Sequence, residues 1–159
     1  MSDPVVPGSS SLQPLDLARH DEAAELLAAC ADIGTVDAGR NRLTESGNDP
    51  KASIYGITDG GQLVAVYILR KIELANELTA IAVREDRRRQ GVGRACLQDA
   101  LRRSGRRPLT VEADDDTLAF YKACGFKLVG RRKQPDGTMR YRLGWHMPGL
   151  RRPIADREG

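Results

Sequence analysis

Between Glu77 and Arg103 the spacing of apolar residues changes period, and that change confines the chain to folds in which a strand runs into a helix through a polar loop. Glu77–Val83, with Leu78, Ile81 and Val83, reads as a strand. From Gly91 to Arg103, Val92, Cys96, Leu97, Ala100 and Leu101 fall at i, i+4, i+5, i+8 and i+9, the stripe of an amphipathic helix. The connecting residues Arg84–Gln90 are polar and rich in arginine, and two glycines, Gly91 and Gly93, open the helix.

The rest of the chain supplies partners for that unit. Asp16 is placed to cap a helix running to about Ala31, with Leu17, Ala24, Leu27 and Ala31 at helical spacing and Gly34 beyond its end. A second, weaker helix is expected over Val36–Glu45. Ser53–Thr58 and Gln62–Arg70 are strand-like runs joined by Asp59-Gly60-Gly61, a hairpin signal. Pro108–Ala113 reads as a strand, and Asp116–Cys124 as a short helix closed by Gly125. Phe126–Arg131 and Met139–Trp145 form a last hairpin across Pro135-Asp136-Gly137. Helix–helix–strands–helix–strand–helix–strands is an α/β layout around one mixed sheet.

Length and composition suit one domain: 159 residues, 40% hydrophobic and 30% charged. Residues 1–11 are rich in Pro, Gly and Ser and are expected to be disordered, and 148–159 to be a flexible tail, leaving 12–147 as the folded domain. No apolar run approaches the roughly 20 residues that span a bilayer. Met1–Leu12 has neither a basic n-region nor an apolar h-region, so no signal peptide is expected and the cytoplasm is the default compartment. Cys30, Cys96 and Cys124 show no C-x-x-C spacing and are expected to be buried free thiols. With two histidines, His20 and His146, and no H-x-x-x-H pair, no metal site is expected. Charge is unevenly spread: residues 1–50 hold 3 Lys/Arg against 9 Asp/Glu, and residues 81–159 hold 19 against 10. The basic half suits an anionic partner, either nucleic acid or a phosphorylated cofactor.

Arg88-Arg89-Gln90-Gly91-Val92-Gly93-Arg94-Ala95 is the strongest candidate site. Glycine lets backbone turn tightly and approach a ligand. The first N–H groups of the following helix carry partial positive charge and suit a pyrophosphate, with arginines as charge-assisted partners. A Walker A loop would need G-x-x-x-x-G-K-[ST], which is absent. A dinucleotide loop would need a third glycine where Cys96 stands. Glu112 lies at the distance of a ribose-binding acid, but the arginine-rich stretch separates strand from glycines, which argues against that reading.

These residues resemble the GNAT acetyltransferase superfamily. Its Q/R-x-x-G-x-G/A signature is matched by Arg88-x-x-Gly91-x-Gly93, and its F-Y-x-x-x-G-F segment by Phe120-Tyr121-Lys122-Ala123-Cys124-Gly125-Phe126. The resemblance runs from about Leu12 to Trp145. It implies a mixed, mostly antiparallel sheet of about six or seven strands flanked by helices. It also implies acetyl-CoA as co-substrate, with Ile81, Ala82 and Val83 along the pantetheine arm and Arg88, Arg89, Gln90, Gly91, Val92, Gly93, Arg94 and Ala95 around the pyrophosphate. Two positions depart from the family pattern: Asp114, at a cofactor-binding position, and Thr117, where Asn and Ala are frequent.

Acetylating an amine requires its neutral form, and near pH 7 only about one alkylammonium in a thousand is deprotonated, a penalty of roughly 4 kcal/mol. By resemblance Glu77 is the candidate general base and Tyr121 the proton donor to the departing thiolate, while Glu73 is a second base candidate. Positioning of amine and thioester would supply much of the rest, and the Val83 N–H is placed to meet the oxyanion. The expected acceptor is a primary amine of a small molecule or peptide, drawn toward the acidic residues 1–50. Two alternatives stay open: a nucleic-acid-linked activity such as acetylation of aminoacyl-tRNA, motivated by Arg102-Arg103, Arg106-Arg107, Arg131-Arg132-Lys133 and Arg151-Arg152, and a non-catalytic acyl-CoA-binding module. A homodimer is also left open.

Overall fold

The computed structural model describes residues 12–145; the segment 1–11 expected to be disordered and the tail 148–159 expected to be flexible, with Arg151-Arg152, lie outside the described residues. Eleven regular elements follow one another: β1 (Leu12–Pro14), α1 (His20–Leu27), α2 (Val36–Gly47), β2 (Ala52–Asp59), β3 (Gln62–Lys71), β4 (Asn76–Val83), α3 (Val92–Ser104), β5 (Leu109–Ala113), α4 (Leu118–Ala123), β6 (Lys127–Lys133) and β7 (Met139–Trp145). The seven strands form a mixed sheet in the order β1-β2-β3-β4-β5-β7-β6. Of the described residues, those up to Arg70 with Thr79–Arg103 make one compact unit, and Lys71–Leu78 with those from Ser104 make another.

In the first unit the start of α1 differs from the expected one. The Asp16 carboxylate accepts from the Ala18 N–H at 3.1 Å, but the turn it caps is a single 3-10 turn, Leu17–Arg19, and α1 begins at His20. Leu17, counted in the apolar stripe, is therefore 78% exposed, whereas Ala24 and Leu27 are fully buried. α1 also stops at Leu27 and not near Ala31, because the chain turns through Cys30 and Gly34, whose N–H donates to Cys30 O at φ +84°. α2 starts where Thr35 Oγ1 accepts from the Ala38 N–H at 3.0 Å. It approaches α1 so closely that a Cβ on Gly39 would lie 2.6 Å from Ala24 O.

Gly60 and Gly61 both have positive φ, +60° and +82°, as a two-residue β2–β3 turn requires. The register skips one residue, Ile57 pairing with Ala65 and Thr58 with Leu63, so Val64 is a bulge. β3 is buried from Leu63 to Leu69. Val66 and Ile68 pack with Ala23, Ala24, Leu27 and Leu43 of the two helices and with Ala80 and Ala82 of β4. Burial of this kind stabilises by roughly 1.5–3 kcal/mol per large side chain.

In the second unit β5–β7 and β7–β6 are antiparallel, and Asn76–Leu78 runs parallel to Leu109–Val111. The Arg107 guanidinium gathers the preceding turn, donating to the carbonyls of Ile72, Glu73 and Ala75 and to Asn76 Oδ1. Gly125, at φ +100°, follows α4, and a Cβ there would lie 2.3 Å from the Trp145 ring. That contact continues an aromatic chain from Tyr121 through Phe126 to Trp145, with centroids 5.9 and 5.7 Å apart.

Candidate active site

The arginine-rich loop divides into arginines that build it and arginines that it presents. Its first residue is fixed to the sheet, the Arg84 N–H donating to Val64 O at 2.8 Å. Arg84 then grips Asp86 through two bonds of 3.1 and 2.9 Å, and Arg87 reaches Asp59 at 3.0 Å across from the β2–β3 turn. Arg88 folds back onto β4, its Nε donating to Val83 O at 3.1 Å. Among the described residues Arg89 and Arg94 make no ion pair, and both are exposed.

The backbone between them is left-handed at two points. Arg89 has φ +64°, the one positive φ outside glycine among the described residues, and Gly91 has φ +82° with nothing within 4 Å of where a Cβ would stand. A non-glycine residue in this region is uncommon and marks a backbone held by its surroundings. Helix α3 follows, its first turn closed by Ala95 N–H to Gly91 O at 2.9 Å. The N–H groups of Val92, Gly93 and Arg94 precede any intrahelical partner, as at every helix start. Gln90 and Gly91 are exposed, Gly93 and Ala95 half-buried, and Val92 buried as the first core residue of α3. The loop thus brings together an open left-handed turn, a helix start and two exposed guanidinium groups that form no ion pair among the described residues.

On β4, Glu77, Thr79, Ile81 and Val83 form the half-exposed row, while Asn76, Leu78, Ala80 and Ala82 are buried. Thus Ile81 and Val83 lie on the row expected from strand alternation, and Ala82 belongs to the core. Glu77 stands beside Thr110 in the register with β5, and Glu73 is exposed. Tyr121 is 6% exposed, with its ring edge-on to Phe120 and Phe126. Asp114 is taken up locally: its Oδ1 accepts from the N–H groups of Asp116 and Thr117 and from Thr117 Oγ1, bracing the turn into α4. Glu112, the acid a dinucleotide reading would need, faces Arg132 and Arg140 at 3.4 and 3.5 Å.

The expectation of three buried thiols holds for Cys96 alone. Cys30 and Cys124 are half-buried, because each sits in the turns after a helix and not on its packed face. Two residues given no place in the site by the sequence also touch β4: Cys30 Sγ donates to Ile81 O at 3.3 Å and Arg42 Nη1 to Thr79 O at 3.1 Å. Neither contact leaves a local pattern, since each joins residues dozens of positions apart. Among the described residues no cluster of His, Cys, Asp and Glu is disposed to hold a metal, and no helix is long and apolar enough to cross a membrane.

A mixed sheet with a glycine-bearing loop between β4 and α3 is the layout that the acetyltransferase resemblance implies, and comparison with known proteins agrees. Residues 50–128 match the acetyltransferase (GNAT) domain family. The chain belongs to the GNAT acetyltransferase superfamily. It is 30% identical over 133 residues to tRNA(Met) cytidine acetyltransferase TmcA of Pectobacterium atrosepticum, an alignment covering 73% of this chain and 19% of that protein. The chain therefore spans only about a fifth of the length of this relative. Its fold is that of the ribosomal-protein-S18-alanine N-acetyltransferase from Escherichia coli, with TM-score 0.67, 23% identity, and coverage of 84% of this chain and 90% of that one. A GNAT family acetyltransferase from Elizabethkingia anophelis with acetyl-CoA bound gives TM-score 0.66 at 17% identity, covering 84% and 95%.

Proposed function

We propose that the protein is an N-acetyltransferase that moves the acetyl group of acetyl-CoA to a primary amine of a small molecule or peptide, by direct attack. The observation that carries this reading is the turn at Arg89 and Gly91, left-handed at both residues and opening onto α3 beside two exposed arginines, Arg89 and Arg94, that form no ion pair among the described residues. In this reading Arg88–Ala95 hold the donor pyrophosphate, Ile81–Val83 line its pantetheine arm, and the catalytic domain spans residues 12–147 in the cytoplasm. Asp114 keeps its role in the turn before α4 and contributes at most a neighbouring charge.

Glu77 acts as the base that takes the ammonium proton, directly or through water. The amine nitrogen then attacks the thioester carbonyl carbon, the C–S bond breaks, the thiolate takes the proton of the Tyr121 hydroxyl, and the proton shed by the acylated nitrogen returns through water to the tyrosinate. The Val83 N–H stabilises the charge that develops on the carbonyl oxygen. Support for Tyr121 comes from its fixed ring, held edge-on by Phe126, which in turn packs on Trp145.

A second reading, an RNA-linked acceptor, is favoured by the β6–β7 hairpin and by the name of the tRNA-acetylating relative. Arg131, Arg132 and Lys133 are exposed on β6, and Arg132 stands directly opposite Arg140 in the register. Like charges placed opposite each other destabilise a sheet, and Glu112 offsets only part of that repulsion. Release of free CoA thiol, measured against a library of amines and against tRNA, separates these readings. Turnover with small amines at rates unaffected by tRNA supports the first. Turnover with tRNA alone, lost steeply with salt, supports the second. Acetyl-CoA binding with no transfer to any acceptor, and no effect of Tyr121→Phe, would leave a binding module. Sedimentation of the same samples decides whether a homodimer forms.

A further inference from the structure

The hydrogen-bonding groups of a strand leave on the same side at every second residue, so the carbonyls of Thr79, Ile81 and Val83 share one side of β4. Each accepts a bond from a side chain. Arg42 Nη1 serves Thr79 O at 3.1 Å, Cys30 Sγ serves Ile81 O at 3.3 Å, and Arg88 Nε serves Val83 O at 3.1 Å. The donors come from α2, from the turns after α1 and from the loop before α3. Inside a sheet such carbonyls are ordinarily satisfied by a neighbouring strand. Here the ladder between β4 and β5 covers Asn76–Leu78, and three side chains take over where it ends.

Such a row of donors has a consequence for the amides. A strand residue sends its N–H to the same side as its carbonyl, so holding three carbonyls fixes the direction of the Thr79, Ile81 and Val83 N–H groups. We propose that Arg42 and Cys30 are positioning residues that hold this edge of β4 so that the N–H groups of Thr79 and Ile81 meet the amide carbonyls of the donor's pantetheine arm, leaving the Val83 N–H for the thioester oxygen. The proposal rests on the donor-binding reading of Ile81–Val83 given above. Arg42 carries the larger share, because a charge-assisted bond is roughly twice as strong as a neutral one and a thiol is a weak donor. Its guanidinium is steadied from the other end by Asp32, at 3.9 Å. Cys30 is suited to its part, since only a protonated thiol donates. Burial first, and the nearby Asp32 carboxylate second, push its pKa up and keep it protonated at neutral pH.

The experiment compares Arg42→Met, Arg42→Lys, Cys30→Ala and Cys30→Ser with the unchanged protein. Binding of acetyl-CoA and of adenosine 3′,5′-bisphosphate is measured by calorimetry, alongside steady-state kinetics with the best amine. Arg42→Met is expected to weaken acetyl-CoA binding and raise its KM about tenfold, equivalent to about 1.4 kcal/mol. Bisphosphate binding and the KM for the amine should stay within about twofold. Arg42→Lys should recover most of the loss. Cys30→Ala should weaken acetyl-CoA about two- to threefold, while Cys30→Ser, which keeps a donor, should match the unchanged protein. If Arg42→Met does not fold, the cysteine pair decides the matter. The proposal is overturned if Arg42→Met binds acetyl-CoA normally, if the bisphosphate is weakened equally, or if only the KM for the amine rises. An unchanged protein that binds no acetyl-CoA at all would instead remove the donor-binding reading itself.

Discussion

Glu22 joins three parts of the first unit through one carboxylate. Its Oε2 accepts from the Leu63 N–H at 3.1 Å, and its Oε1 from Arg19 at 2.8 Å, while Arg19 also donates to Gly61 O at 2.7 Å. The Leu63 N–H, and after it Arg19, hold the Glu22 carboxyl below its ordinary value of 4.5. A carboxylate whose pKa is depressed in the folded state stabilises fully above its unfolded pKa. That contribution disappears as pH falls through the folded value. The stability of the unchanged protein over Glu22→Gln, read from urea midpoints, should therefore be constant near neutrality. It should shrink from about pH 4.5 downward, because glutamine keeps an acceptor for Leu63 but loses the charge. A difference between the two that is independent of pH would remove Glu22 from this role. The same half-buried pair illustrates why such roles escape sequence reading: Glu22 lies in the first turn of α1, where a carboxylate ordinarily reads as a favourable charge at a helix start.

At the scale of elements, α3 is tied to β3 by a buried polar contact. Asp99, 1% exposed, accepts from the Tyr67 hydroxyl at 2.5 Å, from Arg103 Nε at 2.7 Å and from Arg102. Arg103 in turn lies 4.0 Å over the Tyr55 ring and donates to Leu12 O, which brings β1 into the same cluster. Tyr67→Phe removes one of three donors and should destabilise by about 1–2 kcal/mol. Asp99→Ala strands a buried hydroxyl and two guanidinium groups and should cost about 3 kcal/mol in urea unfolding. Their double mutant should fall well short of the sum, because the two residues share one bond. Additive losses would show that Tyr67 and Asp99 act separately. Most of the elements themselves were readable: Gly60-Gly61 forced the β2–β3 turn, and the α3 stripe placed Val92, Cys96, Leu97 and Ala100 in the core. β1 was not readable, since Leu12 is its one buried residue and three residues show no alternation. The start of α1 misled for a related reason, because Asp16 caps a 3-10 turn with the same side-chain bond that would cap an α-helix. In the candidate site, the loop glycines and Tyr121 follow local patterns. The reach of Arg42 and Cys30 to β4 depends on how α1 and α2 pack, which local spacing does not encode.

At the scale of the whole molecule, a formal net charge of +3 is too small to pull an anionic donor in from a distance. In the proposed binding mode, the dependence of donor binding on salt arises locally, at Arg89 and Arg94. These are the exposed arginines of the loop whose guanidinium groups make neither an ion pair nor a hydrogen bond among the described residues, whereas Arg88 is bonded to Val83 O. The Debye length shrinks from about 10 Å at 0.1 M salt to about 3 Å at 1 M, so contacts between exposed charges should weaken across that range. Binding of acetyl-CoA to the folded chain can be read as thermal stabilisation. At a donor concentration of 100 times Kd it amounts to about 2.7 kcal/mol. For a folded region of this size that corresponds to a rise in Tm of roughly 10 °C. At a fixed donor concentration, raising the salt from 0.05 to 0.5 M should reduce the rise severalfold in the unchanged protein. Arg89→Gln with Arg94→Gln should show a small rise at both salt concentrations, with the dependence largely gone. Since Arg89 has φ +64°, Arg89→Gly separates loss of the charge from relief of the backbone. It should melt no lower than Arg89→Gln without donor, yet gain as little from acetyl-CoA. A salt dependence that persists in the double variant would place the donor's phosphates elsewhere on the basic half of the chain and not on this loop.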